Sequence, residues 1–168
     1  MVHVVVLSDT HMRPGSTRRL PPAALDHLGR ADVILHAGDI VAGNVVEELA
    51  AFAPVHAVLG NNDVDLVGEL PETLVLDLDG VRIAMVHDSG QAAGRARRLR
   101  RRFPDADVVV FGHSHIPWNE PGEANQAGTT QLLLNPGSPT DKRRQPRHTL
   151  ATLDLDGGRV VGAAIHPL

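Results

Sequence analysis

Apolar residues in this chain come mostly in short β-branched runs that end abruptly in polar ones, the pattern of strands buried on both faces. Residues 2–8, VHVVVLS, form the first run, and Pro21-Pro22 then opens a stretch whose Leu25 and Leu28 suit a short helix. ADVILHAGD (31–39) predicts a second strand, residues 43–52 with Val46, Leu49 and Ala50 a second helix, and PVHAVLGNND (54–63) a third strand. After this β-α-β-α-β opening, residues 73–79 and 81–87 predict strands joined at Asp79-Gly80, a hairpin signal, so the sheet should be mixed. Residues 90–103 set Ala92, Ala96, Leu99 and Phe103 at helical spacing. Arg95, Arg97, Arg98, Arg100, Arg101 and Arg102 fill the rest of that helix, as a solvated face or as a dock for an anionic partner. Further strands are expected at 107–112, 130–134, 147–155 and 159–165, the last pair turning at Asp156-Gly157-Gly158. A Pro/Gly-rich loop at 116–129 carries Trp118, as a lip over a site or as an oligomer contact. The layout is that of a layered α/β sandwich.

The polar residues that end these runs are of one kind. Asp9 and His11 follow the first strand, Asp39 the second, Asn61 the third, His87 the hairpin, and His113 with His115 the strand at 107–112. Two histidines at i and i+2 share one face of a strand, so the imidazoles of GHSH can converge; the plainer alternative is two polar residues in a surface loop. Asp9 and His11 repeat the spacing, and in open α/β sheets ligands bind beyond the carboxyl ends of the strands, so five elements aim polar tips at one rim. Oxygen and imidazole donors suit Mn²⁺, Fe or Zn²⁺, and seven donors are too many for one open catalytic ion. Two divalent ions bring four positive charges and Asp9 with Asp39 returns two. A bridging hydroxide and a phosphodiester monoanion would cancel the remainder, and ions about 3.5–4 Å apart can acidify the shared water and hold a phosphoryl oxygen.

Length and composition narrow the reading. The chain has 168 residues and 42% apolar content, enough for one core, and residues 1–168 are expected to form a single domain. With no cysteine, thiolate sites, disulfides and a cysteine nucleophile are excluded, so a metal must sit on oxygen and nitrogen. MVHVVVLSDTH reads as a strand and not a signal peptide, and no run is long enough to span a bilayer, so a cytoplasmic location is expected. A net charge of −4 and 2% aromatic residues disfavour nucleic acid as partner.

The motifs SDTH, HAGD, GNND, VHD, GHSH and NPGS, in this order across nearly the whole chain, resemble the calcineurin-like metallophosphoesterases. The closest likeness is to the small single-domain bacterial and archaeal phosphodiesterases that share their fold with the retromer subunit vacuolar protein sorting 29. That resemblance implies an αββα sandwich of mixed β-sheets flanked by helices. It implies Asp9, His11 and His115 on one metal, Asn61, His87 and His113 on the other, and Asp39 bridging, with Ser114 facing away. It further implies hydrolysis of small phosphodiesters by in-line attack of a metal-bridging hydroxide, with Asp39, Asn61 and His113 as the catalytic residues around it. Mn²⁺ is the expected ion, with Fe, Zn, Ni or Co as alternatives, and a homo-oligomer is compatible with an open pocket. The rivals are a non-catalytic protein-binding scaffold of the retromer-subunit type, a phosphomonoesterase and a nuclease.

Two positions depart from the family pattern. Larger phosphatases of the superfamily carry a histidine directly after the Asn ligand as general acid; here that position is Asn62, and a missing general acid loses about 10²–10⁴-fold. Asp88 stands where many relatives have glycine, either capping a loop or adjusting charge beside the metals. His36 reads as a satisfied core histidine. Asp63 is expected to orient Asn61 or His113 or to cap a turn, and Asn135 with Ser138 to support a turn near the metals.

Overall fold

The computed structural model describes residues 1–168. Its ten strands and three helices follow the expected order with one addition. The first half gives β1 (Val2–Leu7), α1 (Pro22–Leu28), β2 (Val33–His36), α2 (Gly43–Ala50) and β3 (Val55–Ala57). The second gives β4 (Thr73–Leu78), β5 (Val81–Val86), α3 (Arg95–Arg102), β6 (Val108–Val110), β7 (Trp118–Ala124), β8 (Thr130–Asn135), β9 (Thr149–Asp156) and β10 (Arg159–Pro167).

The strands form two five-stranded mixed sheets, ordered β10-β9-β1-β2-β3 and β4-β5-β6-β8-β7. β1, β2 and β3 are parallel, as are β5, β6 and β8, because helical or long crossovers link them; the hairpins β4-β5 and β9-β10 and the β7 edge are antiparallel. Val4, Val6, Leu35, Ile83, Met85, Val108, Val110 and Leu153 fill the space between the sheets, all fully buried. The opposite face of the first sheet, through Val5, Leu7 and Ile34, packs on Leu28 of α1 and Val45 and Leu49 of α2. The opposite face of the second, through Ala84, Val109, Phe111 and Leu133, packs on Leu99 and Phe103 beside α3. Because β1 and β6 are covered on both sides, their sequences are continuous apolar runs without alternation. The result is the expected αββα sandwich.

Three expectations are corrected. Residues 116–129 are not a loop, since β7 lies inside them. Its Pro121 and Gly122 are tolerated because β7 is an edge strand with an irregular register between Pro121 and Ala124. The half-buried ring of Trp118 lies against the Arg95 guanidinium, 5.0 Å away, whose other neighbour is Phe111 at 4.9 Å. The arginine helix is not uniformly a solvated face. Arg95 and Arg100 are 9% exposed, and the Arg100 guanidinium donates to the carbonyls of Glu123, Pro104, Ala106 and Thr129. The helix also starts later than its periodicity, at Arg95, because Gly90 and Gly94 take φ of 74° and 70° and Arg98 ties the carbonyls of Ser89, Gln91 and Ala93 into a loop.

Candidate metal centre

Each expected donor sits just past a strand end, five of the seven on backbone that ordinary strands do not adopt. Asp9, His11, Asp39, His113 and His115 have φ of 55°, 45°, 57°, 69° and 58°. The convergence of His113 and His115 therefore owes nothing to strand alternation, because β6 stops at Val110 and both histidines are left-handed loop residues. Single left-handed residues cost about 1–3 kcal/mol and persist where the surroundings hold them. Here the surroundings are hydrogen bonds. Asp9 and His11 donate their backbone N–H to the carbonyls of Gly38 and Asp39, both at 2.9 Å, which zips the two loops together.

Glycine allows the closest approaches. A Cβ at Gly60 would lie 2.2 Å from both the backbone nitrogen and Oδ1 of Asp39, and one at Gly112 would lie 1.9 Å from Ser8 Oγ and 2.7 Å from Asp9 Oδ2. Asp63, 1% exposed, is the main brace. Its carboxylate accepts the N–H groups of Asp39 (2.9 Å), Val41 (2.6 Å) and Gly60 (2.7 Å), so it orders the Asp39 loop and touches neither Asn61 nor His113. Ser138 donates to the Asp9 carbonyl at 2.8 Å, and Asn135 donates to the Gly112 carbonyl at 2.9 Å and to Ser114 Oγ at 3.2 Å. The NPGS turn thus supports both histidine loops. Asp88 caps its own loop by accepting the Gly90 N–H at 2.7 Å.

The seven side chains do meet. His87 donates Nδ1–H to the Ala37 carbonyl at 2.7 Å, and His115 donates Nδ1–H to the Asp141 carbonyl, which leaves Nε2 of each neutral ring as an acceptor facing the site. His115 Nε2 is 3.3 Å from Asp9 Oδ1 and 3.3 Å from His11 Nε2. Asp39 Oδ2 is 3.4 Å from His87 Nε2 and 3.6 Å from His11 Nε2. Asn61 Oδ1 lies 3.1 Å from His87 Nε2 and 3.0 Å from His113 Nδ1. The Nε2 lone pairs of His87 and His115 thus face the oxygens of Asn61, Asp39 and Asp9, contacts that need a proton or a cation between them. Two groups emerge, Asp9 with His11 and His115, and Asp9 with Asp39 and His87, each with donor atoms within 4.8 Å of one another. Asn61 and His113, both exposed, join the second group through the Asn61 oxygen. Asp9 is common to the two groups, while Asp39 Oδ2 lies between His11 and His87.

These residues fit a divalent cation. Asp9 Oδ1 is buried without any hydrogen-bond partner, a costly state for a carboxylate unless a cation meets it. Burial alone would raise the Asp9 carboxyl, but contacts with His115 and the Ser8 hydroxyl and the charge of His87 hold it below its ordinary value. Burial likewise opposes ionisation of Asp39, and bonds from His87 and from Asn62 overcome it by a wide margin. Burial would lower His87, yet Asp39 and Asp9 raise it. Burial lowers His11 despite the same two carboxylates.

Other residues near the centre have structural tasks. His36 is fully buried; it accepts the Gly38 N–H at 3.2 Å and lies 3.1 Å from Thr10 Oγ1, and burial pushes its pKa down to about 3. It is a satisfied core histidine. Asn62 donates its backbone N–H to Asp39 Oδ1 at 2.9 Å and its side-chain amide to Asp39 Oδ2 at 2.8 Å. Sequence reasoning missed Ser8, which donates to Asp9 Oδ2 at 2.7 Å, and the 139–148 loop, whose Asp141 carbonyl fixes the His115 tautomer. A serine directly before Asp9 was the signal for the first; nothing in the sequence marks a backbone carbonyl.

Comparison with known proteins agrees with this geometry. Residues 2–158 match the family model of the calcineurin-like phosphoesterase superfamily domain. A probable metallophosphoesterase of Methanothermobacter thermautotrophicus is 34% identical over 157 residues, covering 92% of this chain and 87% of the relative. A Thermotoga maritima protein solved in solution is 30% identical with a TM-score of 0.72 over the full length of both chains. Vacuolar protein sorting 29 of Entamoeba histolytica, solved in complex with zinc, superposes with a TM-score of 0.74 over 99% of this chain and 98% of its own, at 21% identity, and shares the fold. No helix of the chain is long and apolar enough to cross a membrane. With residues 2–158 matched and side chains that could hold a metal gathered at one rim, the chain belongs to the calcineurin-like phosphoesterase superfamily, a family of metal-dependent phosphoesterases.

Proposed function

We propose that this protein is a phosphodiesterase that works with two divalent cations, Mn²⁺ foremost. Asp9, His11 and His115 would hold one cation, Asn61, His87 and His113 the other, and Asp39 would bridge. The observation that carries the reading is the gathering of Asp9, His11, Asp39, His87 and His115 around the unpartnered Asp9 Oδ1, with Asn61 and His113 joined to them at His87. Two cations held there would supply Lewis acidity toward a water and a phosphoryl oxygen.

The chain's own residues do the rest. Asp39 and Asp9 offset two of the four added charges. Ala37 and Asp141 hold His87 and His115 in the tautomer that offers Nε2. As a water gives one proton to solvent and its oxygen bonds to phosphorus, the P–O ester bond breaks and the departing oxygen keeps the bonding pair. Asn62 supplies it no proton, because a carboxamide is not an acid near neutral pH; its amide donates to Asp39 Oδ2 instead. The departing group then leaves as its anion and is protonated by solvent, which favours diesters with acidic leaving groups.

The test combines metal counting with a substrate pair. After chelation and reconstitution, two Mn²⁺ per chain and hydrolysis of bis(p-nitrophenyl) phosphate well above p-nitrophenyl phosphate are expected, with a steep leaving-group dependence across aryl and alkyl diesters. Full turnover in the chelated protein would refute the reading. Two bound ions with no turnover of any ester would favour a binding scaffold.

A further inference from the structure

Eight non-glycine residues take positive φ. Five are expected metal ligands, Val41 is held in the Asp39 loop by Asp63, and Asp79 turns the β4-β5 hairpin. The eighth is Arg143, at 49°. It sits in the 139–148 loop, which is bolted to the metal centre at three points: Thr140 Oγ1 donates to the Thr10 carbonyl at 2.6 Å, the Asp141 carbonyl receives His115, and Ser138 Oγ accepts the Asp141 N–H at 2.8 Å. Arg143 itself is exposed, and its guanidinium reaches the His113 carbonyl at 3.4 Å, next to two ligand imidazoles.

Charge is concentrated at the same place. Between residues 139 and 148 lie Lys142, Arg143, Arg144 and Arg147 against a single acid, Asp141, and that acid is already paired with Arg18 at 2.9 Å. None of the four cations is ion-paired, in a chain of net charge −4. Left-handed backbone and uncompensated cations at a water-exposed rim are both costs to the fold, and a ligand anion would account for both. A planar guanidinium with most of its donors free suits phosphate oxygens.

We propose that Arg143, with its neighbouring cations, binds a phosphate group of the substrate other than the one cleaved, so that the preferred substrates are small phosphodiesters or phosphoanhydrides carrying at least one further phosphate beside the scissile one. The cleavage half of this statement rests on the phosphodiesterase reading; the anion-binding half does not. A small molecule fits better than a nucleic-acid strand because few rings could stack bases: Trp118 and Phe111 lie against Arg95, Phe103 is buried beside α3, and a single exposed phenylalanine, Phe52, follows α2.

The decisive measurement is calorimetric binding of inorganic tripolyphosphate to metal-free protein at low ionic strength, with orthophosphate as reference. Tripolyphosphate should bind at least about tenfold tighter, Arg143→Gln should weaken it about tenfold, and Arg143→Lys should weaken it less. Arg97→Gln, which removes one exposed charge from α3, should change it less than twofold. If Arg143→Gln folds poorly by circular dichroism, Arg143→Gly removes the guanidinium while relieving the left-handed backbone. Unchanged or undetectable tripolyphosphate binding overturns the proposal, as does tighter Arg143-dependent binding of a twelve-residue oligothymidylate. With Mn²⁺ restored, the kcat/KM ratio of the γ-p-nitrophenyl ester of ATP to bis(p-nitrophenyl) phosphate should fall about tenfold in Arg143→Gln. Should neither ester turn over while tripolyphosphate binding still depends on Arg143, the diesterase reading falls and the anion site stands.

Discussion

Replacing Gly60 by alanine isolates the precision with which Asp39 is held. The added Cβ would lie 2.2 Å from Asp39 Oδ1 and 2.8 Å from its Cγ, where side-chain carbons essentially never come within 3.0 Å, so the carboxylate or the Gly60 loop must yield by about 0.8 Å. Neither has an easy escape. Asp39 is fixed by Asn62 and by its own N–H on Asp63, and Gly60 donates to the same Asp63 carboxylate at 2.7 Å. Overpacking of this kind costs about 1–3 kcal/mol of stability. Misplacing a catalytic group by about 1 Å costs on the order of 10²-fold in rate. We therefore expect Gly60→Ala to lower kcat for bis(p-nitrophenyl) phosphate with saturating Mn²⁺ by about 10²-fold and the melting temperature by several degrees. Gly43→Ala is the control: its Cβ would meet only Leu66 Cδ2, at 3.6 Å, at the start of α2, and should leave both measurements within error. A Gly60→Ala protein with a rate within threefold of the parent and two bound Mn²⁺ would refute the view that the glycine is required by the approach of Asp39.

Three further outcomes follow from single contacts. Asp63→Ala strands three backbone N–H groups, two of them on residues that carry the site, and urea unfolding should show a loss of about 3 kcal/mol or more together with weakened Mn²⁺ binding. Arg100→Met leaves four carbonyls without their shared donor and should cost about 2–4 kcal/mol by chemical denaturation, whereas Arg97→Met should stay within about 0.5 kcal/mol. His36, pushed down to about 3 when folded, takes up its proton only on unfolding between that value and the ordinary histidine range. Its contribution is present above about pH 6.5 and is lost as pH falls toward 3, at about 1.4 kcal/mol per pH unit. His36→Asn should flatten the fall in stability of the metal-free protein between pH 6.5 and 5, and an unchanged slope would show that another group carries it.

Much of this fold is written in local pattern. The runs at β1, β2 and β6 are long enough and sufficiently β-branched to be read as strands covered on both faces, and the Asp79-Gly80 turn declares its hairpin. β7 was illegible because Pro117, Pro121 and Gly122 signal a loop, and only its place at a sheet edge makes them acceptable in a strand. In α3 the apolar stripe of Ala96, Leu99 and Phe103 was plain, but not the fate of Arg95 and Arg100. They lie four residues from Leu99 and Ala96, at the stripe's margins, where a long stem can follow the apolar surface and carry its charge to a partner beyond. For Arg100 those partners include the carbonyls of Glu123 and Thr129, in a strand and turn distant in sequence, and for Arg95 they are the rings of Phe111 and Trp118. The donor residues were legible as types at strand ends. Their geometry was not, since i, i+2 spacing on a strand and two left-handed loop residues leave the same trace in sequence.

That last distinction bears on how the centre is built. Strand alternation would place two imidazoles on one face by default, with rotamers left to packing. Left-handed loop residues turn their side chains inward only because backbone groups around them are committed in advance: the His113 N–H donates to Asp9 Oδ2 at 3.0 Å, the His11 N–H to the Asp39 carbonyl, and the Asp39 N–H to Asp63. Each of these bonds ties one donor-bearing loop to another. The same network leaves Asp9 with one oxygen satisfied twice, by Ser8 and by His113, and the other with no partner. A fold that commits its hydrogen bonds to Oδ2 and sets Oδ1 among three imidazole nitrogens fixes the direction from which a cation would approach.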